Sequence, residues 1–252
     1  MGIAMKKAVV YAIALMALRP FGAAAADDCD PIQTRVSTTP VIAQSPWRLN
    51  RAIEVQRPQV PNTDLLLIGD SLIQQWQKRF NVDFPGRAVH NFGVAGDRTQ
   101  ELLWRLQNLK PDVSPREIIV LVGTNNLTDK TTTACGVSNG IEAVVDEIGR
   151  QWPNAFTFLV EILPRGEGFD FRNQDRREAN DKLAKHFAGS KSVAFVKVDE
   201  DRLTCSWNSY KCPMFRPDLI HLKADGYVIL RDALRRASLS LFNKDRLERA
   251  AD

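Results

Sequence analysis

The fold of this chain is decided by the stretch Leu65-Leu66-Leu67-Ile68-Gly69-Asp70-Ser71-Leu72. Its four consecutive apolar residues predict a β-strand that is covered on both faces, as in a parallel sheet flanked by helices. Gly69 permits a tight exit from that strand, and the next residues are compatible with a helix that begins at once. A serine at such a turn holds its hydroxyl beyond the edge of the sheet. Ser71 is therefore a candidate nucleophile, and the alternative is a serine that caps the next helix.

Apolar strands and amphipathic helices alternate from residue 64 onward. The predicted strands lie at 65–68, 89–92, 118–122, 156–160 and 193–198, and the predicted helices at 97–109, 137–148, 172–188 and 224–242. Asp97 is expected to cap the first of these long helices. This alternation predicts an α/β fold, a three-layer α/β/α sandwich with a five-stranded parallel sheet. A flavodoxin-like strand order is the expected topology.

The N-terminal residues 1–26 have the pattern of a secretory signal peptide. Lys6 and Lys7 precede an apolar run that is too short to span a bilayer, and four alanines at 23–26 follow it. Cleavage near Ala26 predicts an exported protein, periplasmic or extracellular, without a membrane anchor. The proline-interrupted residues 27–60 are interpreted as an N-terminal arm, 61–245 as one domain, and 246–252 as a charged tail.

The net charge gives no reason to expect a polyanionic partner. The full sequence has 34 Lys and Arg against 30 Asp and Glu, a net charge of +4. Three of the basic residues belong to the predicted signal, so 31 basic residues remain against 30 acidic ones. A nearly neutral protein has no electrostatic attraction to nucleic acid or to anionic membranes.

Four cysteines, an even number in a chain predicted to be exported, favour disulfides. Cys205 and Cys212 are close in sequence and form the simplest pair, which leaves Cys29 to pair with Cys135. A zinc site is the competing interpretation. The cysteine spacing matches no zinc-ligand pattern and no histidine lies near, so no metal is expected.

Polar or glycine-rich segments follow the apolar strands where an open α/β sheet gathers its functional groups, at 69–72, 93–97 and 123–126. A fourth segment, 218–221, precedes the last helix. Of the three histidines, only His221 has a carboxylate, Asp218, three residues before it. A Ser-His-Asp arrangement needs a base that takes the serine proton and an acid that orients the base.

These four segments resemble the SGNH (GDSL-type) serine hydrolase family, whose namesake residues match Ser71, Gly96, Asn125 and His221. Within that family, the chain resembles the catalytic subunits of platelet-activating-factor acetylhydrolase and their bacterial relatives, over roughly residues 60–235. The matching segments are Asn91-Phe92-Gly93, Gly96-Asp97-Arg98-Thr99-Gln100, Leu103-Trp104-Arg105-Leu106, Gly123-Thr124-Asn125-Asn126, Ile162-Leu163-Pro164-Arg165-Gly166 and Asp218-Leu219-Ile220-His221-Leu222.

The resemblance implies Ser71 as nucleophile, His221 as general base and Asp218 as its partner. It implies an oxyanion hole formed by the backbone N–H groups of Ser71 and Gly96 and by the side-chain amide of Asn125. No cofactor is expected. Asn126 stands where many family members have aspartate, with little expected consequence.

The expected activity is a secreted esterase that removes acetyl or other short acyl groups from a small-molecule, glycan or lipid ester. A lysophospholipase or lipase for longer chains, and a non-catalytic glycan-binding module, are the alternatives. Arg165 and Trp207 are candidates for substrate binding, although an ion pair is the favoured interpretation for Arg165, and core packing explains Trp207 equally well. The related subunits pair, so a homodimer is possible.

Overall fold

The computed structural model describes residues 29–58, 60 and 62–249, with the side chains of this range up to Leu241. The predicted signal peptide lies outside these residues, as do residues 250–252 of the predicted tail. Across the described ranges, each helix is too short or too polar to cross a membrane.

Five parallel strands form a single sheet with the order β2-β1-β3-β4-β5. They are β1 Leu65–Gly69, β2 Val89–Gly93, β3 Glu117–Leu121, β4 Phe156–Val160 and β5 Val193–Val196. The predicted fold class is confirmed, and so is the flavodoxin-like order. Strand β1 lies between β2 and β3, so the exit of the chain after Gly69 falls at the switch point of the strand order.

Helices cover both faces of the sheet. Alternate side chains of β1 enter two cores: Leu66 and Ile68 face one, Leu65 and Leu67 the other. The helices are α1 Pro31–Thr38, α2 Pro46–Val55, α3 Ser71–Trp76, α4 Phe80–Asp83, α5 Thr99–Asn108, α6 Ala134–Gln151, α7 Asn173–His186, α8 Glu200–Leu203 and α9 Ala224–Arg249. Helices α2, α5, α6 and α7 contribute to the first core, and α3, α8 and α9 contribute to the second.

The N-terminal arm consists of helices α1 and α2, each of which begins at a proline. Proline suits the first position of a helix because its missing N–H needs no partner there. The arm is joined to the body by the hydroxyl of Thr99, which donates to the Ser37 carbonyl at 2.9 Å, and by the disulfide between Cys29 and Cys135. The second predicted disulfide, Cys205–Cys212, is present as well.

Two local predictions differ from the structure. The cap of α5 is Arg98, whose backbone N–H bonds the Glu101 carboxylate at 3.2 Å, so the predicted capping by Asp97 is wrong. The Asp97 carboxylate instead binds arginines from other elements. Helix α9 continues past the predicted end at residue 242 to Arg249, through part of the predicted tail.

The two disulfides close loops of very different length, with sequence separations of 106 and 7 residues. In the chain-entropy model, loops of these sizes stabilise by about 4.7 and about 2.5 kcal/mol respectively. We expect Cys29→Ser/Cys135→Ser to lower the free energy of unfolding more than Cys205→Ser/Cys212→Ser does. Urea denaturation measures both, and equal losses would show that the longer loop adds no more stability than the shorter one.

Candidate active site

Ser71 lies at the first position of helix α3, immediately beyond strand β1. Asp70 caps this helix, because its Oδ1 accepts the backbone N–H of Leu72 at 2.9 Å. The alternative in which the serine is the cap is therefore wrong, and the Ser71 hydroxyl is not used for capping. The residue is 6% exposed. A second contact fixes the start of the helix, since the Tyr227 hydroxyl of α9 donates to the Leu72 carbonyl at 2.8 Å.

The imidazole of His221 lies between Ser71 and Asp218. Its Nε2 is 2.9 Å from the Ser71 Oγ, and its Nδ1 is 2.8 Å from the Asp218 Oδ2. The other carboxylate oxygen of Asp218 accepts the backbone N–H groups of Ile220 and His221, each at 2.9 Å. The short segment that carries the imidazole is thus closed on its own carboxylate, which fixes the ring relative to Ser71.

The charge state of Asp218 follows from these contacts. Partial burial works to raise its pKa, but the backbone N–H groups of His221 and Ile220 and the His221 ring outweigh it and hold the pKa below its ordinary value. Asp218 is therefore a carboxylate at neutral pH. It keeps the proton of the imidazole on Nδ1, which leaves Nε2 as the acceptor facing Ser71.

Gly96 belongs to the loop after β2. The loop is held against α3, because the Gln74 side chain accepts the backbone N–H of Ala95 at 2.7 Å. Gly96 has a φ of +81°, a conformation that favours glycine.

Asn125 lies between the loops that carry Ser71 and Gly96. Its Nδ2 donates to the carbonyl of Asp97 at 2.9 Å and is 3.5 Å from the Oδ2 of Asp70. The neighbouring Asn126 is buried and has a different role. Its amide accepts the backbone N–H of Thr99 at 3.0 Å and donates to the Thr99 hydroxyl at 2.9 Å, which joins the end of β3 to the start of α5.

Sequence reasoning missed a buried charge cluster beside these loops. The Asp97 carboxylate accepts from Arg105 at 2.6 Å and from Arg48 of the N-terminal arm at 3.0 Å. The sequence points to the segment that contains Arg105 only through its resemblance to the serine hydrolase family. Nothing in the sequence pointed to Arg48, whose contacts lie almost fifty residues away along the chain.

The two candidates for substrate binding make other contacts. Arg165 is 6% exposed, stacks on the Phe171 ring at 4.4 Å and is close enough to Asp70 to affect its titration. Trp207 donates to Asp201 at 3.0 Å and lies under the Arg177 guanidinium at 4.9 Å. Throughout the described part of the chain, no hydrogen bond or ring contact joins either residue to Ser71, His221 or Asp218.

The other two histidines lie apart from this site. The ring of His90 is buried beside the Val55 carbonyl at 2.8 Å, and His186 lies near Glu142. Within the described residues, no group of three His, Cys, Asp or Glu side chains is arranged to hold a metal ion.

Comparison with known proteins identifies relatives. The model of the GDSL-like lipase/acylhydrolase family matches residues 67–229, which include Ser71 and His221. The platelet-activating factor acetylhydrolase IB subunit alpha1 of Rattus norvegicus is 31% identical over 189 residues, which are 72% of this chain and 78% of the relative. The alpha2 subunit from the same organism is 32% identical over the same shares.

Solved structures share the fold. A Bacteroides fragilis protein described as an acylhydrolase superposes with a TM-score of 0.60 at 19% identity, over 77% of this chain and 97% of the other. A GDSL-like lipase from Bacteroides thetaiotaomicron gives a TM-score of 0.54 at 17% identity, over 73% and 88% of the two chains.

The pKa of Asp70 predicts how the stability of the protein depends on pH. Burial raises its pKa to about 7; the Leu72 N–H and Arg165 oppose this shift, and the negative charge of Asp97 adds to it. Since an unfolded aspartate has a pKa of about 3.9, the folded chain retains this proton to higher pH. The contribution of this protonated carboxyl to the free energy of unfolding is fully present below about pH 4 and is lost as the pH rises through about 7.

Asp70→Asn keeps the acceptor for Leu72 and cannot ionise. We expect its free energy of unfolding, relative to the wild type, to rise by roughly 3 kcal/mol between pH 4 and pH 8. Glu178→Gln, which neutralises an exposed carboxylate of α7, is the control and should show little change. Denaturation across this pH range checks the prediction, and a difference independent of pH for Asp70→Asn would contradict it.

Proposed function

Since the chain belongs to the GDSL-like lipase/acylhydrolase family, we propose that it is an exported serine esterase that hydrolyses acetyl or other short acyl esters. The observation that carries this proposal is the continuous hydrogen-bonded line from the Ser71 hydroxyl through His221 to Asp218, with distances of 2.9 and 2.8 Å. A hydroxyl is a weak nucleophile by itself, and an adjacent base with an orienting acid is what activates it.

The first half of the proposed reaction is acylation. The Ser71 Oγ attacks the ester carbonyl carbon while its proton passes to His221 Nε2. The carbonyl oxygen becomes an oxyanion that accepts from the N–H groups of Ser71 and Gly96 and from Asn125. The Asn125 nitrogen carries two protons, so it can keep its bond to the Asp97 carbonyl and give the oxyanion the second proton in place of its long 3.5 Å contact with Asp70. The C–O bond of the ester then breaks, and His221 returns its proton to the leaving alcohol.

The second half is deacylation by water. His221 Nε2 takes a proton from a water molecule, whose oxygen attacks the acyl carbon on Ser71. A second oxyanion forms in the same place, and its collapse releases the carboxylic acid. The proton on His221 returns to the Ser71 oxygen. Asp218 faces the imidazolium formed in each half and stabilises its charge without taking the proton.

Export and short acyl groups are supported by separate observations. Disulfides persist in oxidising compartments, and this chain has two. The relatives at 31% and 32% identity are named as acetylhydrolases, which supports a small acyl group. In an exported protein, an acetylated glycan or lipid ester is the proposed substrate class.

Hydrolysis of p-nitrophenyl acetate, butyrate and octanoate by the wild type and by Ser71→Ala tests this proposal. We expect acetate to be the best substrate and its turnover to vanish in the variant. A preference for octanoate would favour a lipase for longer chains. If none of the esters gave Ser71-dependent turnover, the esterase would be excluded and a binding module favoured.

Asn125→Ala tests the proposed oxyanion hole. Loss of one such donor lowers kcat by about 10²–10³. We expect a fall of that size, because the amide is replaced without disturbing Ser71, His221 or Asp218. Asn108→Ala removes an exposed amide from the far end of α5 and serves as the matched control. Equal kcat values in the two variants would remove Asn125 from the mechanism.

A further inference from the structure

Arg48 of the N-terminal arm reaches the loop that contains Gly96. Its Nη2 donates to the Gly96 carbonyl at 2.8 Å and to the Asp97 Oδ1 at 3.0 Å. The side chain of Asp97 is fully buried, and that of Arg48 is 17% exposed. A charge-assisted hydrogen bond to a buried carboxylate is strong, and a second bond from the same nitrogen fixes its direction.

The Arg48 guanidinium also covers Gly96 itself. A Cβ placed on Gly96 would be 3.5 Å from the Nε of Arg48 and 3.6 Å from its Cζ. The arginine therefore lies against Gly96, whose N–H is proposed to bind the oxyanion, and bonds its carbonyl. That carbonyl belongs to the peptide after the Gly96 N–H, so Arg48 fixes the backbone on one side of the donor, while Gln74 holds the Ala95 N–H on the other side.

Asp97 extends the effect of Arg48 to the loop that carries Ser71. The second carboxylate oxygen of Asp97 binds Arg105, whose Nη2 donates to the carbonyls of Gly69 at 3.3 Å and of Phe92 at 3.1 Å. The backbone carbonyl of Asp97 accepts from Asn125. Through its carboxylate and its backbone carbonyl, Asp97 thus joins the arm to all three segments that supply the proposed oxyanion donors.

We propose that Arg48 is a positioning residue, through which the N-terminal arm holds the Gly96 N–H and Asn125 in the geometry that stabilises the oxyanion. The inference rests on the proposed esterase function. Arg48 lies outside residues 67–229, the part that the family model matches. The arm is therefore a working part of this active site, secured to the body by the disulfide Cys29–Cys135.

The test compares Arg48→Ala with Arg57→Ala. Arg57 is an exposed arginine just after α2, and its side chain makes no hydrogen bond or ion pair within the described residues, so its loss removes the same charge. On p-nitrophenyl acetate we expect Arg48→Ala to lower kcat at least tenfold, with KM changed less than about threefold, since the loss of a whole oxyanion donor costs about 10²–10³. Arg48→Lys keeps the charge beside Asp97 and should recover part of kcat.

A double variant separates positioning from simple support of the fold. Because Arg48 is proposed to act through Asn125 as well as through Gly96, its removal in the Asn125→Ala background should lower kcat less than in the wild type. Additive losses would overturn the proposal, and so would a lowered melting temperature with kcat unchanged while the protein is folded. If Arg48→Ala does not fold, Arg48→Gln takes its place in each comparison.

A phosphonate ester that labels Ser71 distinguishes this inference from the function it rests on. Ser71-dependent turnover in the wild type, with equal kcat and labelling rates in Arg48→Ala and Arg57→Ala, would overturn the role of Arg48 alone. If the wild type showed no turnover and no labelling of Ser71, both the esterase and the inference would be overturned. Slower labelling in Arg48→Ala than in Arg57→Ala, alongside the loss of kcat, supports both.

Discussion

The absence of a side chain at Gly69 determines where the proposed active site lies. A Cβ at this position would overlap the carbonyl oxygen of Leu121 in the neighbouring strand. The chain can therefore approach β3 closely and leave the sheet within one residue, with the Asp70 N–H still directed at the same carbonyl at 3.4 Å. Because β1 pairs with strands on both sides, this exit brings Ser71 to the edge of the sheet where the loops after β2 and β3 begin.

In two pairs of neighbouring polar residues, one residue supports the backbone and the other is proposed to act in the reaction. Asp70 caps helix α3, which leaves the Ser71 hydroxyl for His221. Asn126 joins β3 to α5, which leaves one proton of the Asn125 amide available. In each pair the supporting residue is buried and makes the hydrogen bonds that fix the local backbone, so that work does not fall on the side chain beside it.

The features that could be predicted from the sequence depend on contacts between neighbours in the chain. Runs of apolar residues located the five strands within two residues of their observed ends, and the segment from Asp218 to His221 carries its own hydrogen bonds. Arg48 could not be found in this way, because its partners lie in a loop that only the folded sheet brings near. Arg48 and Arg105 bind the Asp97 carboxylate, which therefore does not cap α5 as its position in the sequence predicts.

The two buried carboxyl groups at this edge of the sheet, Asp70 and Asp97, differ in the positive charge that lies beside them. Asp97 faces two guanidinium groups, whereas the described residues give Asp70 only a backbone N–H, a distant amide and the field of Arg165. Burial raises the pKa of both carboxyls, and at Asp97 the two guanidinium groups oppose that shift. Without a bonded cation, the pKa of Asp70 reaches about 7. In the proposed reaction, the negative charge on the substrate oxygen therefore develops near a carboxyl that burial keeps partly protonated at neutral pH. Arg48, which precedes the matched residues 67–229, adds a second cation beside Asp97 to that of Arg105.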